Sequence, residues 1–216
     1  MKNFTELRKN LKKTSNSTPL KIAILGDTAT QFLTQAIKGT AFDNDINLNV
    51  FEADFNQIER QVYDLSSELY KFEPEIVIVF QSSHKLLLKY NKSDAEQYSL
   101  LASNEMRKIE NIYSNLSINL EVKVIYYNYT EIDDSVFGNY ANKVESSFLF
   151  QLRKLNYELM CFASTTSNLF LCDISTIQNQ IGKRNFFHPS VYVNTDMVLS
   201  IDALPKIASK TIDIIS

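Results

Sequence analysis

The sequence is short of the residues that cross-link, ligate metal or cradle phosphate. It has two cysteines, two histidines and four glycines in 216 residues. Cys161 and Cys172 sit inside the apolar segments ELMCFA and LFLCDI, so reduced, buried thiols are expected. A metal site needs more ligands than two Cys and two His supply at these spacings. No apolar stretch approaches the ~18 residues of a membrane span, and the N-terminus has no hydrophobic core of a secretory signal. Together these features point to the cytoplasm. The turn after the first apolar run carries a single glycine, Gly26, and no Gly-x-Gly-x-x-Gly pattern, which removes the main support for nucleotide binding. Net charge is −3, against the concentrated basic face of a nucleic-acid binder. The exception is local: Lys2 to Lys13 holds five Lys or Arg against one Glu.

What is present is a rhythm. Phe4, Leu7 and Leu11 recur at helical spacing, and TSNSTP (Thr14 to Pro19) reads as a linker, so residues 1–19 form a helix and linker ahead of a domain at 20–216. LKIAIL is an apolar strand, and TQFLTQAIKG is a helix expected to stop at Gly39. INLNVFEA follows as a strand; NQIERQVYDLSSELYKFEP is helical, broken near Ser66 and closed by Pro74. EIVIVF, VKVIYYN and LFLCDI supply three more strands. Long helices are expected over Asp94–Ile118 and Asn139–Thr165, the latter with Phe148, Leu152, Leu155 and Leu159 on one face. A last helical stretch spans Thr195–Ser216, with Pro205 as a kink or boundary. Five apolar strands alternating with helices imply an α/β, three-layer fold with a five-stranded parallel sheet covered on both faces. Right-handed crossovers favour the flavodoxin-like strand order 2-1-3-4-5.

Ligands of such sheets sit beyond the carboxyl ends of the strands. The residues at those ends are Gly26, Asp27 and Thr28; Asp54, Asn56 and Gln57; Gln81 to Lys85; Asn128 and Tyr129; and Asp173. Thr28 is either a helix N-cap, a nucleophile or a ligand contact. Asp27 is a cap or turn residue or a base. His84 is a structural histidine or an acid–base or ligand group. His188, in NFFHPS, is a loop-packing residue or a site residue. Glu68 caps or pairs within the fold, or belongs to a site.

Gly26-Asp27-Thr28 after strand one, with a late histidine before the last helix, resembles the SGNH (GDSL-type) hydrolase arrangement. EADFNQIERQVYDLSSELYKFEPEIVIVF (Glu52 to Phe80) is more specifically similar to the N-terminal domain of FkbH-like proteins, of the haloacid-dehalogenase type, subfamily IIIC. FGNYANKVESSFLFQLRKLN (Phe137 to Asn156) resembles the bacterial members. The resemblance implies an SGNH-like domain followed, in the longer protein, by a phosphatase-type domain with an Asp-x-Asp-Asn-Thr motif. That motif is missing from this chain, which ends at Ser216 within a helical pattern, so a portion of a longer protein is expected. Mg²⁺ is implied for the phosphatase-type domain alone, and no cofactor for this one.

The chain departs from active SGNH hydrolases in each motif. Thr28 stands for the nucleophilic serine and Asn56 for the oxyanion-donating glycine. FQSSHK has no Gly-x-Asn-Asp, and Asn185-x-x-His188 replaces Asp-x-x-His. The corresponding Asp→Asn change in a serine protease costs about 10⁴-fold in turnover. The expectation is a degenerate SGNH-like accessory domain that supports glyceryl or acyl transfer to a carrier protein by the full-length protein. The alternative is an active acyl transferase or esterase using Thr28 and a histidine. In either case Thr28 and His84 are the candidate catalytic residues. Asp27, Asn56, Gln57, Ser82, Ser83, Asn128 and His188 are the candidate ligand contacts. The ligand expected is a small phosphorylated or acyl compound, and the partners expected are the downstream domain and an acyl carrier protein, with no nucleic acid and no membrane.

Overall fold

In the computed structural model, which describes residues 2–13, 17–132, 134–187 and 189–216, five strands pair in parallel in the order β2-β1-β3-β4-β5. They are β1 (Leu20–Gly26), β2 (Leu48–Glu52), β3 (Ile76–Phe80), β4 (Lys123–Tyr127) and β5 (Leu169–Cys172). This is the α/β architecture and strand order read from the sequence. The strands are apolar without interruption because both faces are covered. Ile22 and Ile24 of β1 join a core formed with α1 (Phe4–Asn10), α2 (Gln31–Asp43) and α11 (Leu204–Ile215). Ala23 and Leu25 join the opposite core, built with α3 (Ile58–Tyr63), α4 (Glu68–Phe72), α5 (Ser83–Lys92), α6 (Leu101–Asn119) and α7 (Phe148–Ser164). The remaining helices, α8 (Ile174–Ile181), α9 (Lys183–Phe186) and α10 (Pro189–Thr195), lie between β5 and α11 in the chain.

Several boundaries differ from the sequence reading. The α2 helix runs four residues past Gly39. That glycine is a contact and not a stop: a Cβ there would lie 2.5 Å from the Leu7 carbonyl oxygen of α1. The same approach lets Asn10 donate from Nδ2 to Gly39 O (2.9 Å) and Asp43 Oδ1 (2.8 Å). With Phe4 and Leu7 buried, the basic N-terminal helix is docked on the domain while its Arg8 and Lys9 are exposed. The expected linker Thr14–Pro19 lies partly outside the described residues.

The region after β3 holds a helix that periodicity did not reveal, α5, capped by Ser82, whose Oγ accepts from Lys85 N–H (3.2 Å). Residues 95–100 form a 3-10 turn before α6. The helix expected from Asn139 begins instead at Phe148, because Ser147 caps it and its own hydroxyl ties back to Ala141 O at 2.5 Å. Of the two roles expected for Pro205, the structure shows the boundary and not the kink. The proline sits in the first turn of α11, where its missing N–H has no intrahelical partner to lose. The break near Ser66 is present between α3 and α4.

Cys172 is buried, but Cys161 is exposed. Leu152, Leu155 and Leu159 fix the inward face of α7, and two residues beyond Leu159 is about 200° round the helix.

The contact at Gly39 generates a test. Gly39→Ala forces a methyl against rigid backbone, so it is expected to destabilise the chain by about 1–3 kcal/mol, read from urea unfolding. An unchanged midpoint would mean that α1 moves aside without cost.

Candidate functional site at the carboxyl edge of the sheet

The turn after β1 is drawn tight. A Cβ on Gly26 would lie 2.5 Å from Thr30 Cγ2 and 2.8 Å from Thr28 O, so only glycine fits there. Asp27 N–H donates to Phe80 O (3.1 Å), and both carboxylate oxygens accept the Ser82 N–H at 2.9 Å. Asp27 thereby joins the ends of β1 and β3 to the start of α5. Burial pushes its pKa up from 3.8 to about 7, against the backbone and side-chain hydrogen bonds of Ser82 and the Lys85 charge, which pull it down; Asp196 adds to the rise.

Thr28 is fully buried, and its hydroxyl has no hydrogen-bond partner. It does not cap α2: the chain takes two more residues to enter that helix, and Thr30 occupies the cap position. The Thr30 hydroxyl donates to Glu52 Oε1 (2.6 Å) and not to the helix backbone. His84 lies in the first turn of α5, its Nδ1 buried without a partner. Its ring meets Phe187 edge-on (centroids 4.7 Å apart) and Tyr192 at 5.1 Å. Burial lowers the His84 pKa, which favours the neutral imidazole. Thr28 and His84 are therefore not hydrogen-bonded to each other.

Phe187 and Tyr192 belong to a strap that crosses this edge before α11. An antiparallel bridge between Phe187 and Leu199 and a bond from Ser200 N–H to Phe186 O (2.9 Å) close the strap on itself. Asp196, in left-handed conformation at φ 56°, fastens it to the site. Its carbonyl accepts the Ala29 N–H (3.1 Å), and its carboxylate pairs with Lys85 Nζ (2.9 Å).

The expected ligand contacts separate into groups. Asp27 and Ser82, with Gln81, open onto a cavity of about 160 Å³ whose other wall is Lys85, Lys89 and Lys108 around Glu105. Gln57 lines a different cavity, of about 270 Å³, on the β2 side with Glu52, Arg60 and Glu68. Asn56 is exposed at φ 61°, a backbone region that favours glycine, and its N–H donates to Gly26 O (3.0 Å). Ser83 is buried, its hydroxyl donating to Thr130 O at 2.5 Å. Asn128 donates to Asp173 Oδ1 (2.8 Å) and accepts the Ser175 N–H (3.1 Å), which seats α8. Glu68 accepts from Gln61 Nε2 (2.9 Å), bracing α3 against α4. His188 lies outside the described residues. Among the described residues, no cluster of three or more His, Cys, Asp or Glu side chains is placed to hold a metal ion.

Lys89, Glu105, Lys108 and Asp196 escaped the sequence reading. The signal for the first was the pattern SHKLLLKYNK: once read as a helix, it puts Lys85 and Lys89 one turn apart on one face. Asp196 joins the site by tertiary folding alone.

The parallel sheet, its order and its carboxyl-edge site define an SGNH-like hydrolase fold. Structures of the lipase Lip_vut3 from a goat rumen metagenome (13% identical, TM-score 0.56, covering 90% of this chain and 96% of that one) and of a G-D-S-L family protein from Desulfitobacterium hafniense DCB-2 (10% identical, TM-score 0.53, 90% and 98%) share that fold. The chain itself belongs to the FkbH N-terminal domain family, whose model matches residues 21–216. It is similar at 44% identity and TM-score 0.92 to the N-terminal part of the protein BF1531 from Bacteroides fragilis, a structure containing a phosphatase domain complexed with Mg. All of this chain is covered, and it spans 56% of the length of that structure. No curated protein matches the sequence.

The raised pKa of Asp27 has a measurable consequence. The folded chain keeps a proton that the unfolded chain releases above its ordinary value of 3.8, so this group's stabilising contribution is complete below that value and is lost as pH rises through about 7. Between pH 5 and pH 8 the wild type is expected to lose about 3 kcal/mol that an Asp27→Asn variant, which retains an acceptor for Ser82 N–H, does not lose. Urea unfolding at the two pH values checks this. Parallel losses would mean that Asp27 is ionised throughout.

Proposed function

We propose that this chain is an accessory, ligand-holding domain of a longer bacterial, cytoplasmic FkbH-like protein of the haloacid-dehalogenase type, with little hydrolytic activity of its own. In the full-length protein it supports transfer of a glyceryl or related acyl group to the thiol of a carrier protein. The acyl group or carrier arm is received at the carboxyl edge of the sheet, the edge that carries Thr28 and His84. The phosphatase-type chemistry, with its Mg²⁺, belongs to the domain downstream. The presence of a phosphatase domain in the BF1531 structure, of which this chain spans 56%, supports that division of labour. Free cysteines agree with a reducing compartment. Among the described residues, no helix is long and apolar enough to cross a membrane.

The observation that carries the reading is the Thr28 hydroxyl, buried and without any hydrogen-bond partner. A hydroxyl nucleophile needs a base within hydrogen-bond reach and N–H donors aimed at the developing oxyanion. Here the neighbouring Ala29 N–H is engaged by Asp196 O, and the Asn56 N–H by Gly26 O.

The test is intact-mass spectrometry after exposure to a fluorophosphonate probe, with Thr28→Ala and His84→Ala variants alongside. No adduct is expected on the folded chain. A single adduct that disappears in Thr28→Ala would overturn the accessory reading and establish a live threonine nucleophile.

A further inference from the structure

We infer that the cavity between the ends of β1 and β3 and helices α5 and α6 is a receptor for a compact oxyanion, a phosphate-like or carboxylate group held by Lys89 and Lys108. The inference rests on the ligand-holding reading above and names the chemistry of the ligand.

The balance of donors and acceptors decides the sign. Of the acceptors on the cavity wall, both Asp27 oxygens take the Ser82 N–H, and Glu105 Oε1 holds Lys89 Nζ, with Lys108 Nζ at 4.0 Å. Gln81 Oε1 accepts from the Tyr126 and Tyr129 hydroxyls. The donors are in surplus. Each of the three ammonium groups carries three N–H; Lys85 uses one on Asp196 and Lys89 one on Glu105, while Lys108 has only long ion pairs, to Glu105 and, at 3.9 Å, to Glu59. The Gln81 amide, its oxygen engaged, adds two further N–H. Ser82 places the cavity beside the N-terminus of α5, whose dipole also favours negative charge.

Asp196 and Glu59 tether Lys85 and Lys108 from the perimeter and keep the empty cavity near neutrality. Inside, Lys89 and Lys108 face one another across a single buried carboxylate. Burial and the Lys108 charge both lower the pKa of Lys89, so an anion between the two ammonium groups relieves a repulsion already present. A volume of about 160 Å³ is below the ~300 Å³ at which drug-sized pockets begin, and it suits a single oxyanion group with a few attached atoms.

The experiment is a ¹H–¹⁵N NMR titration at pH 7 in which sodium sulfate replaces sodium chloride at constant ionic strength, with sodium acetate in a second arm. Saturable shifts are expected at the Ser82, Lys85 and Lys89 amides. Affinity should fall at least fivefold in Lys89→Gln and in Lys108→Gln, both partly exposed positions, and stay unchanged in Lys154→Gln on α7. Tighter sulfate binding assigns a phosphate-like group, and tighter acetate binding a carboxylate. No saturable shift in either arm, or equal affinity in the two cavity variants and the wild type, overturns the inference. Its failure alongside an unlabelled Thr28 would leave the accessory reading standing; a Thr28 adduct with sulfate binding intact would leave an anion site in an active enzyme.

Discussion

Everything in this molecule follows from a parallel sheet buried on both faces. The crossover helices that parallel pairing demands cover the strands on each side, and the strand interiors must then be apolar throughout. Polar chemistry is left one place to collect, the carboxyl edge, where the chain turns from strand to helix. The first turn shows how narrow that place is. Gly26 is pressed against Thr28 and Thr30, and Asp27 is bonded to both the end of β3 and the cap of α5. A single residue thus ties the ends of the two paired strands to the start of α5.

That carboxylate is held at a cost. Its desolvation exceeds the help of Ser82 and Lys85, which leaves an acid that titrates near neutrality. Strained or desolvated groups of this kind concentrate at functional sites. The strap fastened by Asp196 adds a second restraint, since its carbonyl engages the Ala29 N–H beside Thr28. A hydrolase of this fold needs polar groups free to meet a substrate. Here the Thr28 hydroxyl is enclosed, and the Ala29 and Asn56 N–H groups are already bonded within the fold.

The similarity to lipase structures is one of architecture, at 13% and 10% identity, and fold alone does not carry chemistry. The likeness to the BF1531 N-terminal part, at 44%, and the family match over residues 21–216 bear on identity. Asn56, which the sequence reading set in place of an oxyanion glycine, adopts a left-handed conformation at φ 61°, and its N–H braces the first turn.

The sequence by itself determined the five strands, their order and the edge at which polar residues gather, because alternation and crossover handedness are local rules with a global consequence. It also marked Asp27, Thr28, Ser82 and His84 as residues of that edge. It misread Gly39 and the start of α7, where a helix contact and a serine cap overrode periodicity. Only the tertiary structure decided which edge residues share a cavity. Asp27 and Ser82 meet Lys89 and Lys108, whereas Gln57 opens on another side, and Asn128 and Ser83 are taken up in packing. That partition depends on contacts such as Lys85–Asp196, between residues 111 positions apart. Periodicity reports which face of its own element a residue occupies; which residues of other elements stand opposite is set only when the layers close.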